Sequence, residues 1–358
     1  MLTQNPPQTD NQTEIKQPAS HKLKILGLIL TIGGVVLFFY FVHSVGAREI
    51  YTNIIEFGIW GFAFILFIYA VRIAIRAFCW TLTVYEPFAL SFKDAAVAVI
   101  IGEALSSMIP LGIIISGTAK AVAVRKKIPL VVGLSSIATE NLFYSVATSL
   151  FLILGAYTFI RTTALDQDLV YTIDILIAII GLIIVFIVLL VLRQWHFASE
   201  TLEALYRRGI LAKQLEHLRL QARLFENLIY GFYRRYPRRL IPLLILELFF
   251  HVLGVLEVWV ILTSLLGQSN FLFSFFLESV SRLITIIFKL VPFLIGVDEA
   301  GARLVAEAIS IGAGVGITLA LIRKGRILFW TAIGMVLILR RGLRLSDLRQ
   351  AVVEANKA

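Results

Sequence analysis

The chain of 358 residues is 59% hydrophobic and 16% charged, with a mean hydropathy of +0.88 and a formal net charge of +10. That composition excludes an ordinary soluble domain, and several apolar runs of about 20 residues, enough to cross roughly 30 Å of hydrocarbon, predict an all-α, polytopic helical membrane protein. The runs are continuous instead of alternating, which argues against a β-barrel, and Cys79 is the one cysteine, which excludes a disulfide framework or a cysteine-based metal site. The five histidines show no metal spacing, and no cofactor is expected. The cations lie in loops beside apolar spans, a pattern of cytoplasmic retention and anionic-lipid contact, so nucleic acid is not expected as a partner.

Residues 1–20 are polar, contain prolines and lack periodicity, and read as a disordered tail. Residues 21–192 form a first membrane half. Lys22 and Lys24 precede an apolar run from Leu23 to Val42 that is too long for a cleaved signal, so an uncleaved first span with a cytoplasmic N-terminus is expected. A second span, about Ile54 to Phe78, carries Arg72 and Arg76 one turn apart towards its inner end. Snorkelling to the interface is the preferred reading for both, with a place in a substrate pathway the alternative.

A first broken segment, near 95–124, has positive charge on both flanks, at Lys93 and at Arg125-Lys126-Lys127. Both ends therefore favour the cytoplasm, and a re-entrant hairpin folding at Pro110 satisfies both. Glu103 within it is either functional or paired with Arg72 or Arg76. The span from Pro129 to Ile160 holds Glu140-Asn141 near its middle, facing either a site or a polar helix contact. The span from Tyr171 to Leu192 is almost featureless and is expected to touch lipid. Residues 193–239 are a basic insertion in which Arg207, Arg208, Arg219, Arg223, Arg234, Arg235, Arg238 and Arg239 alternate with leucines and aromatics. Amphipathic cytoplasmic helices are predicted there, held to the inner leaflet by apolar burial plus roughly 1 kcal/mol per cation near an anionic surface.

The second membrane half is placed at 240–345, with a C-terminal tail at 346–358. Glu247 and His251 stand one turn apart, spaced for a structural hydrogen bond or for proton relay. Glu278 and Arg282 are spaced for an i,i+4 ion pair. The second broken segment, near 271–321, contains Pro292, which should stop or kink the incoming helix. A new helix is expected at Asp298, a good N-cap, with Glu299 in its first turn suiting the helix dipole. Glu299, Arg303 and Glu307 then fall on one stripe, and Gly312 and Gly316 are spaced for close helix contact. Arg323-Lys324-Gly325-Arg326 reads as an interruption before a last apolar run, Ile327 to Leu339. Two re-entrant segments set the count of crossings against a cytoplasmic, arginine-rich C-terminus, so the second broken segment is expected to cross fully.

The two interruptions share a grammar. Aligning Pro110 with Pro292 puts Ser116 on Asp298, both capping residues, and brings Lys120 within one residue of Arg303. Paired interruptions in two halves point to an internal repeat around a central site, here with about 7–8 membrane segments.

Gly102-Glu103-Ala104 through Pro110 to Lys120, together with Val291-Pro292 through Gly296-Val297-Asp298-Glu299-Ala300-Gly301, resembles the flippase-like membrane domain of lysylphosphatidylglycerol synthases, a family that includes stand-alone relatives without the synthase domain. The resemblance implies a bacterial inner-membrane protein that moves, or helps to move, a lipid between leaflets. Many members carry Gly-Gly-Glu before the cation of the first motif, whereas Ser116, Gly117 and Thr118 stand here, which removes the carboxylate. The chain ends soon after the last span, so no aminoacyl-transferase domain and no lysyl transfer are expected.

The leading expectation is translocation of a phospholipid or another charged-headgroup lipid, without enzyme activity. The helix N-termini at Ser116 and Asp298 would face a phosphate-bearing headgroup, Lys120 and Arg303 would add charge, and Glu103, Glu140 and Glu299 would balance them or meet a cationic headgroup. One alternative is a membrane-embedded enzyme using Asp298 and Glu299 as acid and base, although neighbours on a helix point about 100° apart. Another is a scaffold for envelope-lipid enzymes. Membrane lipids are the expected partners, anionic inner-leaflet lipids at the basic insertion among them, and a homo-oligomer is left open.

Overall fold

The computed structural model describes residues 40, 43, 47–108, 112–162, 167–209, 212–288 and 291–341. Pro110, the tails at 1–20 and 346–358, and all of the expected first span except Tyr40 lie outside the described residues. All regular structure among the described residues is helical: α1 (Ala47–Thr83), α2 (Phe92–Met108), α3 (Gly112–Ala123), α4 (Leu130–Thr162), α5 (Gln167–Arg193), α6 (Phe197–Arg207), α7 (Ala212–Arg235), α8 (Pro237–Leu266), α9 (Phe271–Ile287), a 3-10 turn (Pro292–Leu294), α10 (Val297–Ala308) and α11 (Ala313–Arg341). Ile50–Thr83, Leu130–Thr162, Val170–Val191 and Pro237–Leu266 are long and apolar enough to cross a membrane. The chain is a polytopic helical membrane protein.

Both broken segments are helical hairpins. In the first, α2 and α3 fold back on each other, so that a Cβ on Gly102 would lie 2.7 Å from the Lys120 stem and 2.9 Å from Ser116 Oγ. In the second, α9 and α10 fold back in the same way. Ser281 Oγ donates to Asp298 Oδ1 at 3.0 Å, and farther from the break Leu277 and Val305 share one core cluster. The turn between them passes through Phe293 and Leu294 at φ 53° and 52°, a left-handed region that costs non-glycine residues on the order of 1–3 kcal/mol each.

Past α10, Ser310 and Gly312 turn the chain at φ 60° and 95°, and α11 then runs unbroken to Arg341. The predicted interruption at Arg323-Lys324-Gly325-Arg326 is mid-helix, with Arg323 and Arg326 buried. Gly312 serves the turn, and only Gly316 makes the close contact expected of the pair.

Helices α1–α4 and α8–α11 follow the same plan of long helix, hairpin and long helix, and their mutual contacts come in matched pairs. Helix α1 packs on α8; α2 packs on α11 as α9 packs on α4; α1 meets α11 as α8 meets α4. Within the central pair, Ile65 clusters with Ile261 and Leu262, whereas Cys79 clusters with Leu243 and Phe250. Helices α1 and α8 thus run antiparallel, and the two units form an inverted repeat. Helix α5 stands outside this core with none of its apolar window buried, the disposition of a lipid-facing helix.

Helices α6 and α7 occupy the basic insertion and pack on each other. Glu226 of α7 accepts from Ala198 N at 2.8 Å and from Ser199 Oγ at 2.6 Å, satisfying amide groups at the start of α6. The hydrogen bond from Arg219, with Arg207 beside it, holds the Glu203 carboxyl below the usual carboxylate range.

Helix α11 touches both hairpins through glycine. A Cβ on Gly316 would lie 2.4 Å from the Ala302 carbonyl oxygen of α10, and one on Gly334 would lie 2.4 Å from Ala104 Cβ of α2. Gly316→Ala therefore forces two backbones apart and should cost about 1–3 kcal/mol, seen as a lowered melting temperature in detergent. Gly181→Ala, with nothing within 4 Å of the new methyl group, should leave that temperature unchanged.

Candidate functional site

The centre of the bundle is charged. Arg72 and Arg76 lie one turn apart on α1, and both are buried. A guanidinium removed from water loses several kcal/mol of solvation, which only close counter-charges offset. Glu278 of α9 supplies them to Arg282 Nε at 2.8 Å, Arg323 Nη2 at 2.8 Å and Arg72 Nη2 at 3.7 Å. Glu257 of α8 pairs with Arg72 Nη1 at 3.2 Å and also with Arg326. Arg76 pairs with Glu140 at 3.0 Å and Glu247 at 3.6 Å, and donates to Asn141 Oδ1 at 3.2 Å. Aromatic faces cover the guanidiniums, with Phe250 4.2 Å from Arg72, Tyr144 4.2 Å from Arg76 and Tyr69 4.1 Å from Arg326.

This network walls a cavity of about 210 Å³ where the tips of the two hairpins meet. From the first hairpin come Glu103, Ser106, Ser107, Ser116 and Lys120; from the second come Ser281, Arg282, Phe293, Leu294 and Asp298. Six cations line the space, namely Arg72, Arg76, Lys120, Arg282, Arg323 and Arg326, against two carboxylates, Glu103 and Asp298. Glu140, Glu247, Glu257 and Glu278 stand behind the guanidiniums and do not line it. A ligand in the cavity therefore meets cationic and hydroxyl groups first, in surroundings of low dielectric where such contacts are strong.

The family described as the lysylphosphatidylglycerol synthase TM region matches residues 24–334. The chain belongs to this family. No curated protein and no solved structure matches it. The lysylphosphatidylglycerol synthase TM region is a membrane domain associated with lipid handling, and in this member the match spans both hairpins and every residue of the cavity.

Within this lysylphosphatidylglycerol synthase TM region, the predicted site residues separate into two sets. Glu103, Ser116, Lys120 and Asp298 line the cavity; Glu140, Pro292, Glu299 and Arg303 do not. Glu140 makes the polar helix contact, to Arg76. Pro292 sits in the turn, and its neighbours Val291 and Phe293 reach the cavity instead. Arg303 is half-buried away from the cavity and pairs with Glu307 at 2.8 Å. Glu299 is fully buried, where it accepts from Gly296 N at 2.8 Å and pairs with Lys324 Nζ at 2.7 Å.

Both capping assignments are corrected. The N-cap of α10 is Gly296, because glycine takes the turn at φ 81° and Glu299, three residues on, reaches back to its amide. Asp298 lies inside the helix and accepts from Ser281. Ser116 lies a turn inside α3, which is already helical at Gly112. Arg72 and Arg76 do not snorkel, since their carboxylate partners are at the bundle centre. Glu247 and His251 take separate partners, Arg76 for the first and Thr148 at 3.0 Å for the second. The i,i+4 pair of Glu278 and Arg282 forms as predicted.

Sequence reasoning missed Arg282, Arg323 and Arg326 as cavity residues. Their signal is charge away from the helix ends: Arg282 stands four residues after Glu278 within α9, and Arg323 and Arg326 stand three apart in the middle of α11.

Glu278→Ala strips the carboxylate from Arg72, Arg282 and Arg323 together and should cost about 3–5 kcal/mol, with loss of the monodisperse peak in size-exclusion chromatography. Arg303→Ala, which removes a half-buried i,i+4 pair outside the charged layer, should cost about 1 kcal/mol or less.

Proposed function

We propose that this protein translocates a lipid with a phosphate-bearing headgroup between membrane leaflets, the headgroup passing through the central cavity while the acyl chains stay in the bilayer. The observation that carries the proposal is a cavity lined by six cations at the meeting point of two hairpin tips in an inverted repeat. Inverted repeats around a central site suit alternating access, because the two units can exchange conformations and expose the same site to either side.

In the proposed topology the N-terminus is cytoplasmic in the inner membrane of a bacterium. The first span runs outward, α1 inward, α4 outward, α5 inward, α8 outward and α11 inward, with the α2–α3 hairpin re-entrant from the cytoplasm and the α9–α10 hairpin from outside. Arg125-Lys126-Lys127, the insertion and Arg340-Arg341 then share the cytoplasmic side, in keeping with the bias of basic loops. One unbroken α11 lets both hairpins be re-entrant and still returns the arginines to the cytoplasm.

The enzyme reading is disfavoured by the fate of its two carboxylates. Asp298 faces the cavity, whereas Glu299 is held by Gly296 and Lys324, so they do not share a reaction site.

Purified protein in vesicles with fluorescent phosphatidylglycerol should raise leaflet exchange, read by quenching of the outer leaflet, with no new lipid on thin-layer chromatography. Lys120→Gln and Arg282→Gln should each slow exchange by about tenfold or more, the loss of one charge-assisted contact, whereas Arg303→Ala should keep the parent rate. Exchange no faster than in protein-free vesicles, or a chemically altered lipid, refutes the proposal.

A further inference from the structure

A second cavity, of about 220 Å³, opens on the outer side of α4 between α4, α5, α7 and α8. Helix α4 separates it from the central one: Asn141 and Tyr144 face the charged cavity, whereas Leu142 and Val146 face this groove. Val188, Leu240 and Leu244 complete walls that expose no polar surface, and Tyr233 of α7 closes one end. The groove is open outward, since Ile241 on its rim is 70% exposed and Val188 is 39% exposed. Water would find no hydrogen-bond partner here, and an unfilled groove would forfeit dispersion contact along every wall. A hydrocarbon chain suits both constraints.

The chemistry of the mouth selects the kind of chain. Tyr233 is followed at once by Arg234 and Arg235 at the end of α7, and Arg238 precedes Ile241 by three residues on α8, which places it on the groove's face one turn nearer the helix start. Arg234 and Arg238 are exposed and make no ion pair among the described residues. Nearby, two arginines are occupied: Arg235 pairs with Glu86 at 3.7 Å, and Arg239 donates to the Leu82 carbonyl at 3.0 Å and stacks on Tyr236 at 4.3 Å. The positive end of the α8 dipole points the same way. Apolar walls beneath a cationic mouth match one amphiphile, a lipid whose headgroup carries net negative charge.

We infer that this groove holds one acyl chain of an anionic phospholipid, with the headgroup phosphate on Arg234 and Arg238. The site is independent of translocation through the central cavity. It bridges α7 of the insertion to α4, α5 and α8, so the lipid fastens the basic insertion to the bundle.

Native mass spectrometry of the full chain, with phosphatidylglycerol or phosphatidylcholine added to the detergent, tests it. The parent protein should keep one phosphatidylglycerol under collision energies that strip phosphatidylcholine. Arg234→Glu combined with Arg238→Glu should lower the bound fraction about tenfold, and Val146→Trp or Leu244→Trp, which fill the groove, should do the same with the charges intact. Size-exclusion profiles confirm that each variant is folded, and Lys120→Gln should keep the lipid. Equal retention of the two lipids, a phosphatidylglycerol preference that survives both kinds of variant, or its loss in Lys120→Gln alone would overturn the assignment.

Discussion

Counter-charge at the bundle centre is the constraint on which the rest of the structure depends. Glu257 and Glu278 together hold Arg72, Arg282, Arg323 and Arg326, residues from three helices that are far apart in sequence. Any slip of one helix by a turn would leave a buried ion without its partner, a loss of several kcal/mol, so the ion pairs fix the register of α1, α8, α9 and α11 more strictly than apolar contact alone. The hydrophobic clusters on either side of this layer are less particular, because leucine, isoleucine and phenylalanine tolerate small shifts.

The same layer gives the cavity its character. Glu140, Glu247, Glu257 and Glu278 stand in the second rank, ion-paired, and the guanidiniums stand in front. The protein thus solves two problems with one set of residues: it neutralises buried cations well enough to fold, and it keeps their donor faces directed at a space large enough for a polar group. Hydroxyls from Ser106, Ser107 and Ser116 on one hairpin and Ser281 on the other add contacts that do not depend on the sign of a ligand's charge.

Much of this was legible in the sequence, and the failures have definite causes. The apolar runs, the basic insertion and the two interruptions were readable because each is a local pattern. The paired interruptions pointed to Lys120 and Asp298 together, and both line the central cavity. The capping assignments failed because residue preference ranks Asp and Ser highly, whereas the chain uses Gly296 with a glutamate three residues later. Arg72 and Arg76 were misjudged because snorkelling is the default for a cation near a helix end, and the partners that overrule it lie on other helices, Glu257 being 185 residues from Arg72. Arg323-Lys324-Gly325-Arg326 read as an interruption for the same reason. Three cations and a glycine within four residues break a hydropathy plot, yet here Arg323 and Arg326 fill the charged layer and Lys324 pairs with Glu299.

Helix α11 carries one further consequence. It leans on the second hairpin at Gly316 and on the first at Gly334, in both places with backbone or Cβ atoms too close to admit a methyl group. A stiff rod seated on two supports at opposite ends behaves as a balance beam. Tipping it to give slack to one hairpin presses it into the other, so the two halves of the molecule are mechanically tied through a single helix.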